Sequence, residues 1–224
     1  MKRKTLFTIT LALLLVAVLA FSGCGAFGQK VAAEDYDKVF SDSAKALADG
    51  SWTMNFTIKM ENLNTNEKVT MTIKVVVEDG KKAHFTGTAK GDTVAPADEK
   101  LDTYMEIKDN KCYEIEKDKD GKWVGTATLG NFFDELYLDP VATADSIAFD
   151  SLEYKLGKYY VKDDVLKSMG FGDDMEYYIV FKSGKLSMLS MKGEIDTIVV
   201  KVKSDVKVKI SYKGKVTIPS YTVA

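Results

Sequence analysis

Few side chains in this sequence of 224 residues could do covalent or metal chemistry. There are two cysteines, Cys24 and Cys112, and one histidine, His84. Paired acids occur at Asp134-Glu135, Asp163-Asp164 and Asp173-Asp174, and Asp118-Lys119-Asp120-Gly121 has the start of a calcium-loop spacing. A serine-type hydrolase needs a base beside its nucleophile, and His84 sits in an alternating strand pattern without a Gly-x-Ser-x-Gly elbow. A closed zinc site needs clustered Cys, His and carboxylates, which one His and one remaining Cys do not supply. Placing Gly121 at the sharp turn of an EF-hand loop puts Ala127 where the bidentate Glu belongs, between strands rather than helices. The acid pairs fall where helix starts and turns use carboxylates as caps. No catalytic or metal site and no cofactor is therefore expected, and the chain is not expected to be an enzyme. Cys112 reads either as a reactive thiol or as a small buried hydrophobe of a strand.

Cys24 stands in a different setting. Lys2, Arg3 and Lys4 are followed by an apolar run from Leu11 to Phe21, and then by Ser22-Gly23-Cys24. A charged start, a short apolar stretch and small residues before a cut site make a secretory signal, too short for a comfortable membrane span. The small pair directly before Cys24 resembles the lipobox of bacterial lipoproteins. That resemblance implies cleavage after Gly23, a diacylglyceryl group (with palmitate-type chains) on the Cys24 sulfur, and residence on the extracytoplasmic face of the cell membrane. The expected division is a signal peptide over 1–23, lipidated Cys24 with a tether over 24–33, and a folded domain over 34–224. Each buried CH₂ contributes roughly 0.8 kcal/mol, and two chains hold far better than one. The unpatterned tether reaches roughly 5–6 Å times the square root of its length.

Removing Lys2, Arg3 and Lys4 takes the formal net charge from -2 to about -5. With no basic excess to draw phosphates, nucleic acid is not an expected partner. With Cys24 acylated, Cys112 has no intramolecular partner, so the fold must stand without a disulfide.

The elements that build the exported part are legible from periodicity. Tyr36, Val39, Phe40, Ala44 and Leu47 fall at helical spacing and predict a helix from Glu34 to Asp49, stopped at Gly50. The period then changes to 2. Trp52, Met54, Phe56, Ile58 and Met60 alternate with polar residues, as do Val69, Met71, Ile73, Val75 and Val77. A three-residue loop at Asp79-Gly80 would set Val77 opposite Ala83 and Val75 opposite Phe85. A second hairpin turns at Asp109-Asn110, with Tyr104, Tyr113 and Ile115 carrying apolar character onto its other face. A helical insert is expected from Asn131 through Phe132, Phe133, Leu136 and Tyr137 to Asp139-Pro140. Strands resume over Leu152 to Val161, Asp163 caps a short helix, and a last hairpin turns at Ser183-Gly184 with Leu186 and Met188 on one face. From Ile198 to Tyr212 the pattern fits one long strand or a hairpin looping at Lys203 to Asp205. The odd-position lysines there either touch anionic headgroups or form a solvated face that guards against edge pairing.

Tether, amphipathic helix, long alternating strands, mid-chain insert and a tail ending in Gly214-Lys-Val-Thr-Ile-Pro219 together resemble the LolA-like and LppX-like lipoprotein superfamily. This implies an α+β, mainly antiparallel β fold: a curved half-barrel sheet with helices over its concave face, able to hold acyl chains. On that reading Trp52, Met54, Phe56, Ile58, Met71, Ile73, Val75 and Met188 are ligand-lining candidates, Met being adaptable to irregular apolar ligands. The same residues could simply form a core. The functions in view are a membrane-anchored binder or carrier of a lipid or other hydrophobic ligand and, alternatively, a surface protein-interaction or regulatory module without a small-molecule ligand.

Overall fold

The computed structural model describes residues 29–48, 50–92, 99–128, 147–196 and 201–224. Cys24 and the insert expected at 131–140 lie outside them. After a 3₁₀ turn at Ala33–Asp35, helix α1 runs Tyr36–Ala48 and buries Tyr36, Val39, Phe40 and Leu47, together with Ser43. Its apolar stripe follows the predicted spacing, except that Ser43 takes the buried place expected of Ala44. Ser43 is satisfied there: its hydroxyl donates to the Val39 carbonyl (2.6 Å) and accepts from the Leu186 amide (2.8 Å). Gly50 ends the helix because a Cβ there would run into the Ala46 carbonyl.

The strands are β1 Trp52–Asn62, β2 Lys68–Glu78, β3 Lys82–Gly91, β4 Glu99–Lys108, β5 Lys111–Lys117 and β6 Trp123–Ala127. After these come β7 Leu152–Lys155, β8 Lys158–Val161, helix α2 Asp163–Ser168, β9 Glu176–Lys182, β10 Lys185–Asp196, β11 Lys201–Ser211 and β12 Thr222–Val223. They make one 12-stranded sheet in the order β12-β6-β5-β4-β3-β2-β1-β11-β10-β9-β8-β7, antiparallel except where β12 lies parallel to β6. The fold is mainly antiparallel β in a single open curved sheet, with α1 on the concave side.

Register explains the curvature. Val77 pairs with Ala83 and Val75 with Phe85, as the three-residue turn requires. Farther along β3 the same face carries Gly87, Ala89 and Gly91 opposite Ile73, Met71 and Val69. A Cβ at Gly87 would lie 2.5 Å from the Thr72 carbonyl oxygen, and one at Gly91 would strike the backbone of Lys68. The neighbouring backbones approach too closely for side chains, so these glycines permit the sheet to coil.

One of the two open topologies is realised, the cap of the second helix is corrected, and the strands over 152–161 gain their turn. β11 is one continuous strand, because Lys203, Ser204 and Asp205 are paired to β1 on one side and β10 on the other. Lys162 occupies the N-cap of α2, with no side-chain cap, and Asp163 is its first helical residue. Residues 152–161 form two strands folded at Leu156-Gly157, where both residues have positive φ (50° and 78°).

A ring cluster and a hydrogen bond tie the helix to the sheet. Tyr36 meets Phe40 and Phe149 edge-on at 5.0 and 5.1 Å, and Phe181 of β9 reaches both Phe40 and Tyr159. Trp52 donates its indole N–H to the Leu47 carbonyl (2.8 Å) at the end of α1. Upstream of the helix, the Tyr159 hydroxyl accepts from the Val31 amide (2.6 Å) and donates to the Val31 carbonyl (2.9 Å).

The C-terminal tail crosses the convex side. Thr53 donates to the Lys213 carbonyl (2.8 Å), the Val216 amide donates to Glu78 (3.3 Å), and Tyr221 lies over Gly125, donating to Glu106 (3.2 Å). Ile115 is fully buried on this side, opposite Gly125. The mixed character of the Tyr104 and Ile115 face thus has a cause: the tail covers it.

Candidate functional site: the two faces of the sheet

Pairing assigns each candidate to a face. Met54 lies opposite Val75 and Ile210, Phe56 opposite Ile73 and Val208, and Ile58 opposite Met71 and Val206. Trp52 is opposite Val77, under α1. Seven of the predicted lining residues, Trp52 through Val75, therefore share the concave face. Trp52, Met54, Ile58, Met71, Ile73 and Val75 are buried and Phe56 is partly so.

Met188 is not on that face. The ladder between β9 and β10 slips between Leu186 and Met188: Leu186 pairs with Phe181 and Met188 with Val180. One extra residue in β10, Ser187, turns Met188 to the side of Lys209 and Asn55, and brings Leu189 and Met191 to the concave side opposite Val208 and Val206. A β-bulge has no signature in an alternation that reads correctly on either side of it. Leu189 and Met191 were missed for this reason.

The opposite face is polar over β1 to β4, and a recess of about 610 Å³ opens there. Its floor is the backbone row Phe56, Ile73, Gly87 and Leu101, and its walls include Asn55, Thr57, Lys74, Lys100 and Asp102. The hydroxyls of Thr72 and Thr88 bond to each other across it at 3.0 Å. At its edge Asp102 accepts from His84 Nε2 (3.0 Å) and Lys117 (3.3 Å). His84 stacks flat on Tyr104 at 3.8 Å, Tyr104 meets Trp123 edge-on at 5.1 Å, and the Lys117 ammonium sits 4.5 Å over the indole. The hydrogen bond from His84, followed by that from Lys117, holds the Asp102 carboxyl below its usual range against partial burial. In this cross-strand cluster the groups joined to His84 are a carboxylate and a phenol.

Cys112 is buried on the concave side opposite Ile107, a small hydrophobe of the strand. Asp118 accepts from the amides of Asp120 (2.8 Å) and Lys122 (2.9 Å), so the carboxylate that invited a calcium reading closes its own turn. The Tyr212 hydroxyl is buried without a hydrogen-bond partner among the described residues, and burial pushes it up to about 12. No helix among the described residues is long and apolar enough to cross a membrane.

No family model matches the sequence, and no curated protein matches it. Among solved structures, an S-type phycobiliprotein lyase, CPES, from Guillardia theta is 14% identical with a TM-score of 0.25, over 80% of this chain and 99% of that one. An AttH candidate from Nitrosomonas europaea is 10% identical with a TM-score of 0.26, over 76% of this chain and 53% of that one.

Proposed function

We propose that this chain is an extracytoplasmic lipoprotein, anchored to its membrane through Cys24 and of LolA-like type, that binds or carries a lipid or similar hydrophobic ligand on the concave face of its sheet. One observation carries the reading: the segregation of the two faces. On one side Met54, Phe56 and Ile58 meet Met71, Ile73 and Val75, while Asn55, Thr57, Thr72 and Lys74 fill the other. Unbranched Met side chains adapt to flexible apolar ligands better than a Leu-only wall would. Gly87 and Gly91 leave that wall without side chains where the β2 backbone comes closest.

The test is purification of the full chain from its membrane, followed by solvent extraction and mass spectrometry. Covalently attached acyl groups stay with the protein, whereas a bound ligand enters the solvent. One lipid class recovered at about one molecule per chain supports the reading. Protein that releases nothing above the membrane background refutes the ligand, and favours an interaction module working through the His84, Tyr104 and Trp123 surface.

A further inference from the structure

Leu156 is 93% exposed, the largest exposure among the large hydrophobic residues described. Its backbone has φ +50° at the first position of a two-residue turn between the paired Lys155 and Lys158. That conformation suits Asn, Asp or Gly and disfavours a bulky side chain. Of the other two-residue hairpin turns of the sheet, Asp109-Asn110 between Lys108 and Lys111 obeys the rule, and Ser183-Gly184 between Lys182 and Lys185 departs from it only by a small polar side chain. Leu156 thus violates turn chemistry and burial together, the combination expected where a side chain serves a contact outside the fold.

Its neighbours say what kind of contact. Tyr159 pairs with Ile179, which places the β7–β8 tip beside the β9–β10 tip. The two tips carry Lys155, Lys158, Lys182 and Lys185, of which Lys155 is bonded to Glu153, Lys158 lies over the Tyr178 ring at 3.8 Å and Lys185 over the Tyr212 ring at 5.1 Å. Lysines stand directly opposite lysines at both turns, as they do at Lys108 and Lys111, but among the described residues only here do two such pairs lie side by side, and like charges so placed repel within the sheet. The N-terminal segment is fixed at the same place: the Gln29 amide oxygen accepts from the Gly184 N–H (3.0 Å), and Val31 is held by Tyr159. From Cys24 to Gln29 is five residue steps, at most about 18 Å of extended chain.

We infer that the paired β7–β8 and β9–β10 tips form a membrane foot, with Leu156 entering the interface of an anionic bilayer and the four lysines meeting its headgroups. This rests on the anchoring at Cys24 proposed above. The foot would hold the sheet upright on the bilayer, so that the opposite end, with the β5–β6 turn at Gly121, points away from it.

The full-length lipoprotein, reconstituted into phosphatidylglycerol vesicles, tests this with an environment-sensitive maleimide probe at Leu156→Cys and, as control, at Gly121→Cys. The expected result is a blue-shifted emission at 156, quenched several-fold more by headgroup-proximal spin-labelled lipid than at 121, and diminished in phosphatidylcholine or by Lys155→Glu with Lys182→Glu. Water-like emission at both positions overturns the proposal. So does a blue shift that spin-labelled lipid does not quench, since that marks contact with a second copy of the chain. The intact mass reports acylation of Cys24 separately: an unacylated protein still quenched at 156 would sink the anchor and keep the foot.

Discussion

Leu186 and Met188 face opposite sides of the sheet although one residue separates them. Leu186 pairs with Phe181 beneath α1, and Met188 pairs with Val180 on the side of Lys209. The extra residue sits where the Ser43 hydroxyl takes the Leu186 amide, so the helix contact and the bulge occur together. A substitution that forces regular pairing would exchange the two faces of β10 and bury polar groups. Deleting Ser187 removes the extra residue while Leu186 stays opposite Phe181 and Met188 opposite Val180, so Met188 and Leu189 should keep their present sides; little change in circular dichroism and in hydrogen exchange on β10 checks this, and loss of protection there contradicts it.

Gly87 and Gly91 stand where the β2 backbone leaves no room for a Cβ. The obstacle to a side chain at either is neighbouring backbone, which cannot swing aside. Gly87→Val should cost about 1–3 kcal/mol through the forced shift, read as a lower urea midpoint at unchanged slope. Gly121→Ala, with open space around its Cβ, tests the other term at positive φ and should cost only about 1 kcal/mol.

Tyr159→Phe removes the hydroxyl that closes on both backbone groups of Val31. Each lost bond is worth about 1 kcal/mol. The larger effect should be local, as amide exchange at Val31 rises well before any change in the β1–β2 ladder. Equal exchange in both proteins would show that the N-terminal segment is held by something other than Tyr159.

The convex cluster supplies a pH dependence. Asp102 is held below the usual carboxylate range by His84 first and Lys117 second. A lowered carboxyl contributes stability above its unfolded value of 3.8, and loses it as pH falls from there through the folded value. Asp102→Asn should cost a few tenths of a kcal/mol, about what an exposed ion pair gives, at neutral pH. That difference should vanish below the acid window. Tyr212 has the opposite sign: its neutral form is favoured in the fold, so stability present below 10.0 is lost as pH rises towards about 12. Tyr212→Phe should flatten the alkaline limb.

Much of the fold is legible in the sequence because each long strand keeps one period. Trp52 to Met60 and Val69 to Val77 alternate without interruption, and the register of the second against β3 follows from a single turn at Asp79-Gly80. Legibility fails where a local exception breaks the period. The bulge at Ser187 misplaced Met188, and the turn at Leu156-Gly157 was invisible because Leu is not a turn residue. Ser43 is buried because the Val39 carbonyl and Leu186 amide satisfy it, a fact that needs both elements in place. Ile115 read as a mixed face until the tail carrying Tyr221 was laid over it.

The account stands on an apolar ligand held against the concave face, and the methionines divide cleanly for testing it. Met54 and Met71 are on that face and Met188 on the other. Methyl-labelled methionine spectra, taken as a short-chain phospholipid is titrated in below its micelle concentration, should show saturable shifts at Met54 and Met71 with Met188 unmoved. Shifts confined to Met188, or none at any of the three, would contradict it.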